Sequence, residues 1–396
     1  MSVSRSTIES ETEFVLDGTH GSPVRVDEGI PVLSAQNVKG GRLSWDTARF
    51  TNEEEHAAFS KRLSLRRGDL LLTIVGTIGR AAVLEETPPP LVFQRSVSIM
   101  RPKRDSLDSR FFYFVTQSDD FQRQLERSTN KSSQAGVYLK KLKAVTIPLP
   151  PLAEQKRIAG ILDAADALRA KRRESLAQLH TLLQSTFLEI FGDPVTNPMG
   201  WEELNFGDIA EDTRIGLVRS SKEFGLDFDI PYVRMDAVTA NGDFLPEKVQ
   251  LTDAEEDEIQ AFALRSGDFL FNTRNSKELV GKVCVFPGPD GWLFNNNLMR
   301  VRFVADVEPV VVATQFRFRR VQRELEKRKS GTTSVFAVYW KSLRTLPVLV
   351  PPVDLQRRFA AIVESIEQQK ATQRAHLDEL DTLFASLQSR AFRGDL

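Results

Sequence analysis

The residues of this chain that could do chemistry lie in polar stretches, half of them glycine-bearing, and their chemistry is hydrogen bonding rather than bond breaking. Asp17-Gly18-Thr19-His20-Gly21-Ser22-Pro23 and Gly76-Thr77-Ile78-Gly79-Arg80 lie in the first half, and Asn272-Thr273-Arg274-Asn275-Ser276 and Asn295-Asn296-Asn297 in the second. Ser128-Thr129-Asn130-Lys131-Ser132-Ser133-Gln134 corresponds in turn to Lys329-Ser330-Gly331-Thr332-Thr333-Ser334. Arg pairs with guanine edges, Asn and Gln pair with adenine edges, and hydroxyls and cations hold phosphates. Any one of these stretches also reads as a plain turn, so their recurrence at matching places is the stronger signal.

Catalytic signatures are absent from the sequence. There is no Gly-x-x-x-x-Gly-Lys-Ser/Thr, no Gly-x-Gly-x-x-Gly after a strand, no His-Glu-x-x-His, and no Asn-Pro-Pro-aromatic or Asp-Pro-Pro-aromatic tetrapeptide of an amino-methyltransferase. The histidines, His20, His56, His180 and His376, are far apart, and a turn-stabilising role is the plain reading of His20 between Gly18 and Gly21. Metal binding has no support. The single cysteine, Cys284, excludes a disulfide framework and fits a reducing cytoplasm. No apolar run approaches the ~20 residues that span a bilayer, and Met1 to Ser6 lacks the apolar stretch of a signal peptide, so a cytoplasmic protein without a membrane segment is expected.

The elements that must position these loops are repeated. Ile30-Pro31 recurs as Ile230-Pro231, Gly68-Asp69-Leu70-Leu71 as Gly267-Asp268-Phe269-Leu270, and Pro150-Pro151-Leu152-Ala153-Glu154-Gln155 as Pro351-Pro352-Val353-Asp354-Leu355-Gln356. A tandem duplication follows. Strands are expected at 30–33, 69–75, 81–84 and 97–101, and again at 232–235, 269–272, 282–286 and 299–303. Thr51-x-x-Glu54 and Thr252-x-x-Glu255 read as capping boxes of short helices. The class is α+β, without the regular βαβ alternation of a nucleotide-binding sheet.

After each copy the apolar spacing becomes helical. Ile158, Ile161, Ala165, Leu168, Leu176, Leu179, Leu183, Phe187 and Ile190 predict one helix over 152–191, entered through Pro150-Pro151 and stopped at Gly192-Asp193-Pro194. Phe359, Ile362, Ile366, Leu377, Leu380, Phe384, Leu387 and Ala391 predict a second, from Pro351-Pro352 to near Gly394. Each would be about 60 Å long. Arg172 interrupts the first seam, and Gln369 and Gln373 the second. Two such seams most simply bury each other as an antiparallel coiled coil; the other arrangement packs each helix on its own domain. An antiparallel pair would put the two globular parts at opposite ends about a pseudo-two-fold axis, which suits a target with two half-sites such as duplex DNA.

The net charge is −1, whereas lone DNA-binding domains are usually basic. Charge is nonetheless segregated: Phe316 to Thr345 holds nine Lys/Arg against Glu324 and Glu326, and Arg101 to Lys143 holds ten positive against five negative residues. Such faces bind polyanions, or are ordinary solvated helix surface.

The chain resembles the specificity subunit of type I restriction–modification enzymes over nearly its whole length. The resemblance is carried by Pro148-Leu149-Pro150-Pro151-Leu152-Ala153-Glu154-Gln155-Lys156-Arg157-Ile158, by Asp17 to Pro23, by Phe271 to Lys282, and by Phe392-Arg393-Gly394-Asp395, together with the duplication. It implies target-recognition domains at 1–150 and 194–350, each reading half of a bipartite, asymmetric site, and conserved long helices at 151–193 and 351–396 that set the spacer. Two methyltransferase subunits carrying S-adenosylmethionine would dock on those helices, and restriction/translocase subunits using ATP and Mg would join them. The chain itself would hold no cofactor and would not be an enzyme. Thr19, His20, Arg80 and Lys131 in the first domain, and Arg274, Asn275, Lys282 and Lys329 in the second, are then expected on the DNA-facing side. One departure stands out: the second domain opens with Gly200 to Ile209, a family-like first strand, but Met1 to Glu9 lacks that motif, so this strand is either shortened or diverged. The alternative function is a structural coiled-coil adaptor without a DNA role; a self-sufficient methyltransferase is more distant.

Overall fold

The structure is a computed structural model and describes residues 3–47, 49–130, 135–331 and 334–396. It divides into two compact units, Met1–Arg173 with Ala375–Leu396, and Glu174–Arg374.

The two units share one plan. In the first, an antiparallel sheet runs in the order Thr12–Asp17, Val97–Pro102, Leu70–Thr73, Ala81–Val83. In the second the order is Ala210–Ile215, Leu298–Phe303, Phe269–Asn272, Val283–Val285. The register slips by one residue at the same place in both, near the Thr12 and Ala210 ends of the first-named strands. A small second sheet is also shared: Ile30–Leu33 pairs antiparallel with Phe50–Thr51 and parallel with Val92–Phe93, as Ile230–Val233 does with Gln250–Thr252 and Leu293–Phe294. The expected strands therefore form, to within two residues at their ends. The central strands are buried on both faces: Leu70, Leu71 and Leu72, like Phe269, Leu270 and Phe271, are fully inaccessible. This is why they read as unbroken apolar runs rather than as alternation.

The question at the N-terminus is resolved by pairing. Arg5–Thr7 pairs antiparallel with Thr146–Pro148, as Glu202–Asn205 pairs with Pro347–Val350. The next residue, Ile8, is fully buried and donates its N–H to Val145 O at 3.0 Å, the place that Phe206 takes against Leu346 O at 2.7 Å. The first copy thus keeps the strand with a different sequence.

The capping boxes lie later than expected. Asn52 caps Glu53–Arg62 by accepting from Glu55 N, and Glu255 with Glu258 caps Glu256–Phe262. Thr51 and Thr252 are instead buried strand ends. Asn is at least as good a cap as Thr, and the strand pairing holds Thr51 extended.

The long helices run Leu152–Phe191 and Val353–Arg393. Both arrangements weighed for them occur together, since within each unit the helix segments pack on each other and on the domain. In the first unit Ile158, Ala159, Leu162 and Ala391 join the core of Phe111, Phe112 and Phe114, with Phe384 and Phe392 against it. In the second, Leu183, Phe187 and Phe191 pack on Phe359, Val363 and Ile366, and Phe318 of the domain closes the cluster. The seam is not apolar along its length. Leu168, placed in it by spacing, is 51% exposed, and the neighbouring Arg169 takes the inner position instead. Arg169 lies 4.3 Å over the Phe384 ring and bonds Asp166 and Asp381. No helix among the described residues is long and apolar enough to cross a membrane.

Candidate nucleic-acid interface

In each unit the strand that begins at the Gly-Asp turn ends in a polar corner. In the first, Thr73 holds the corner: its backbone O accepts from Gly79 N at 2.9 Å, its Oγ1 accepts from Arg80 N at 2.9 Å, and its hydroxyl donates to Thr77 O. The Arg80 side chain is exposed and has no partner among the described residues. Val137 N bonds Ile74 O at 2.9 Å, which sets the next residue, Tyr138, beside this corner with 62% of its surface exposed.

In the second unit Asn272 does the work of Thr73. It is fully buried, donates to Asn297 O at 3.0 Å and accepts from Asn275 Nδ2 at 3.0 Å. Arg274–Asn275 pairs with Phe336–Ala337, which pairs with Ser330–Gly331. Val338 N bonds Thr273 O at 2.9 Å, so Tyr339 repeats the placement of Tyr138, at 57% exposure. Short basic helices follow both tyrosines, with Lys140 and Lys141 exposed in one and Lys341 in the other. An exposed aromatic ring beside mobile cations is a surface on which bases stack and phosphates bind. The two tyrosines escaped sequence reading because an aromatic residue is ordinarily core. The available signal was their recurrence one residue before Leu139-Lys140 and Trp340-Lys341.

The eight residues expected to face DNA separate into groups. Arg80 and Arg274 are exposed at the corners just described. Thr19 is a structural tie, since its N–H donates to Phe93 O at 2.7 Å and its carbonyl accepts from Arg95 N. His20 is exposed and pairs with Asp17 at 3.0 Å. Asn275 folds back, with Oδ1 accepting from Ser276 N and Nδ2 donating to Asn272. Lys282 is half-buried and donates to the carbonyls of Met235 and Val238 at 3.1 and 2.6 Å; burial lowers its pKa. Lys329 is only 11% exposed, donating to Lys277 O and pairing with Glu326. Lys131 lies outside the described residues.

Beneath the corners, the motifs shared by the two copies are structural. A Cβ at Gly18 or at Gly216 would stand 2.2 Å from the carbonyl oxygen of Phe93 or Phe294, so only glycine lets these chains cross. Asp69 receives a two-pronged bond from Arg101 at 2.7 and 2.8 Å, and Asp268 receives one from Arg302 at 2.7 and 3.0 Å; each aspartate also accepts a backbone N–H within its turn. These bonds hold both guanidiniums charged, raising their pKa. Gln155 and Gln356, in the Pro-Pro motifs, are buried and fully bonded: each donates to two carbonyls and accepts one N–H, tying the helix start to its domain. In the second unit Lys370 is almost inaccessible, and its ammonium bonds Asp243 at 2.5 Å and Glu367 at 2.8 Å. Burial pushes Asp243 up, but Lys370, His180 and Arg374 more than offset it and hold the carboxylate below its ordinary range. Among the described residues no group of three or more His, Cys, Asp or Glu is placed to hold a metal ion.

Comparison with known proteins agrees with this geometry. The family model of the type I restriction modification DNA specificity domain matches twice, at residues 24–179 and 198–382. The type I restriction enzyme EcoKI specificity subunit of Escherichia coli K12 is 25% identical over 403 residues, covering 93% of this chain and 83% of that protein. In fold, the chain is similar to the type I restriction–modification S subunit from M. genitalium (TM-score 0.58, 15% identity, 98% and 96% of the two chains covered). It is similar too to a chain from a structure of type I R-M complex assembly and conformational transition (TM-score 0.50, 20% identity, 100% and 98% covered). Two matches of the family model, one in each half of a duplicated chain with the same sheet order and the same buried ties, make this protein a member of the type I restriction–modification DNA specificity family.

Proposed function

We propose that this chain is the DNA-reading, non-catalytic subunit of a type I restriction–modification complex, and that its two recognition domains, 1–150 and 194–350, each read one half of a bipartite, asymmetric site. One observation carries the reading: the two units keep identical buried ties while their exposed corners differ. Arg80, next to the Gly79 whose N–H bonds Thr73 O, is exposed; its counterpart Lys282, next to the Gly281 whose N–H bonds Asn272 O, is half-buried on the carbonyls of Met235 and Val238, and Arg274 is the exposed cation of that corner. A common frame with different contact residues is what two unlike half-sequences require.

The long helices, residues 151–193 and 351–396, contribute to both units and supply the spacer and the docking surface for two methyltransferase subunits. Chemistry on the bound DNA belongs to those partners, which bring S-adenosylmethionine; restriction/translocase subunits bring ATP and Mg. A DNA-reading role places the protein in the cytoplasm. Arg80 and Arg274, with Tyr138 and Tyr339 beside them, are the contacts best placed to read; Thr19, Asn275, Lys282 and Lys329 shape the corners behind them, and His20 sits at the rim. Replacing residues 1–150 by the matching domain of another family member, with the methyltransferase co-expressed, is the test. Single-molecule sequencing of methylated adenines should show one half-site changed and the other retained. A change in both halves, or in neither, would refute the modular reading.

A further inference from the structure

One half-buried cation in the second unit has no ion pair of its own among the described residues. Arg317 follows the helix Pro309–Gln315, and its guanidinium lies against Gly242, whose missing Cβ would come within 2.8 Å of Nη2. Among the described residues the side chain makes no hydrogen bond and no ion pair, and its Nε is inaccessible and unsatisfied. Asp243 and Glu367 act on it through space, but Lys370, Arg374 and His180 already hold the first and Lys370 the second. A guanidinium withdrawn from water without a hydrogen bond is costly.

The repeat shows that the fold does not need this charge. The matching position of the first copy is Gln117, a neutral residue that bonds Thr116. Arg317 is therefore an addition of the second copy.

Arg317 lines a cavity of about 480 Å³ whose wall is rich in donors. His180, Gln184, Asn241, Lys282 and Gln322 share it. The Lys282 ammonium has three donors and uses two on carbonyls, leaving one. The carboxylate on the wall is Glu278, which its own backbone N–H and Ser276 hold. Two cations and amide donors around an open cavity are the recognition set of an oxyanion.

We propose that this cavity is a phosphate site with Arg317 as its principal cation, filled either by a free anion or by a backbone phosphate of duplex DNA. The second source rests on the DNA-reading function proposed above, and the two sources separate experimentally. In the first arm the full chain is melted in potassium phosphate and in chloride of equal ionic strength. The wild type should gain ~2–4 °C in phosphate, Arg317→Gln should gain nothing, and Arg317→Lys should keep part of the response. In phosphate-free buffer Arg317→Gln should melt no lower than wild type, because it removes an unpaired charge; a lower value would make the arginine structural and overturn the proposal. In the second arm, binding to a duplex of unrelated sequence is followed against salt. A backbone phosphate in the cavity means that Arg317→Gln lowers the slope by about 0.9. A shift in either arm supports the site and names its source, and identical behaviour of wild type and Arg317→Gln in both overturns it. If the phosphate arm succeeds while the complex binds no DNA at all, the anion site stands and the DNA-reading function falls.

Discussion

Replacing Gln155 by alanine is a direct test of how the long helices are fixed to the domains. Gln155 is fully buried; its Nε2 donates to Ser106 O at 2.8 Å and Pro150 O at 2.9 Å, and its Oε1 accepts from Asp108 N at 2.9 Å. Alanine leaves one N–H and two carbonyls without those partners. At a net ~1 kcal/mol per hydrogen bond the loss is about 3 kcal/mol. For a unit of this size, that lowers Tm by roughly 6–12 °C. Gln356→Ala should do the same in the second unit, where the three bonds are 3.1, 2.7 and 3.0 Å. The two sites share no partner, so their effects should add. Glu154, one residue earlier in the motif, is the control. It pairs only with Arg157 at the surface, and Glu154→Ala should leave the melting curve unchanged. Differential scanning calorimetry of the full chain reads all four proteins. A shift below ~2 °C for Gln155→Ala, or one no larger than the control's, would refute the claim that the glutamine is what the motif is for.

Two further outcomes follow from buried titratable groups. Burial holds the His180 imidazole below its ordinary 6.5, with the Lys370 ammonium adding to the effect and Asp243 opposing it. The unfolded chain therefore takes up the proton first, so the contribution is whole above 6.5 and is lost as pH falls toward the folded pKa. His180→Gln should flatten the decline in urea midpoint below that pH, and an unchanged decline would show that the imidazole is not its source. Burial pushes the Cys284 thiol up to about 12. A maleimide at mild alkaline pH should leave the native chain unlabelled and modify it fully in denaturant, as mass spectrometry would show; rapid native labelling would contradict the buried placement.

What was legible in the sequence followed strong local physics. A proline pair before a long helical apolar period located Leu152–Phe191 and Val353–Arg393, because prolines suit an entry and first turn and period 3.6 sustained over ten turns has no other reading. The repeat located the strands, since two copies had to satisfy one pattern. What escaped depended on neighbours distant in sequence. Lys282 and Lys329 read as surface cations, but which carbonyls an ammonium reaches is set by how Met235, Val238 and Lys277 come round in space. Tyr138 and Tyr339 drew no reading from the sequence, because their exposure is set by the chain that leads into a short helix after each. Arg169 breaks the seam because Phe384 and Asp381 offer it both a ring face and a carboxylate, a combination that no single helix displays.

The division between what the copies share and what they do not is itself an energetic statement. Gly18 and Gly216, Asp69 and Asp268, and Gln155 and Gln356 recur because each meets buried backbone, where a wrong residue leaves a clash or an unsatisfied polar group at a cost of ~1–3 kcal/mol per group. Arg80 and Arg274 meet solvent, and exchanging such residues typically changes stability by less than ~0.5 kcal/mol. The surface that would touch DNA can therefore change without disturbing the frame. The same reasoning makes Arg317 exceptional: it is half-buried, it departs from the repeat, and it makes no hydrogen bond or ion pair among the described residues. The frame does not account for it; the proposed phosphate would.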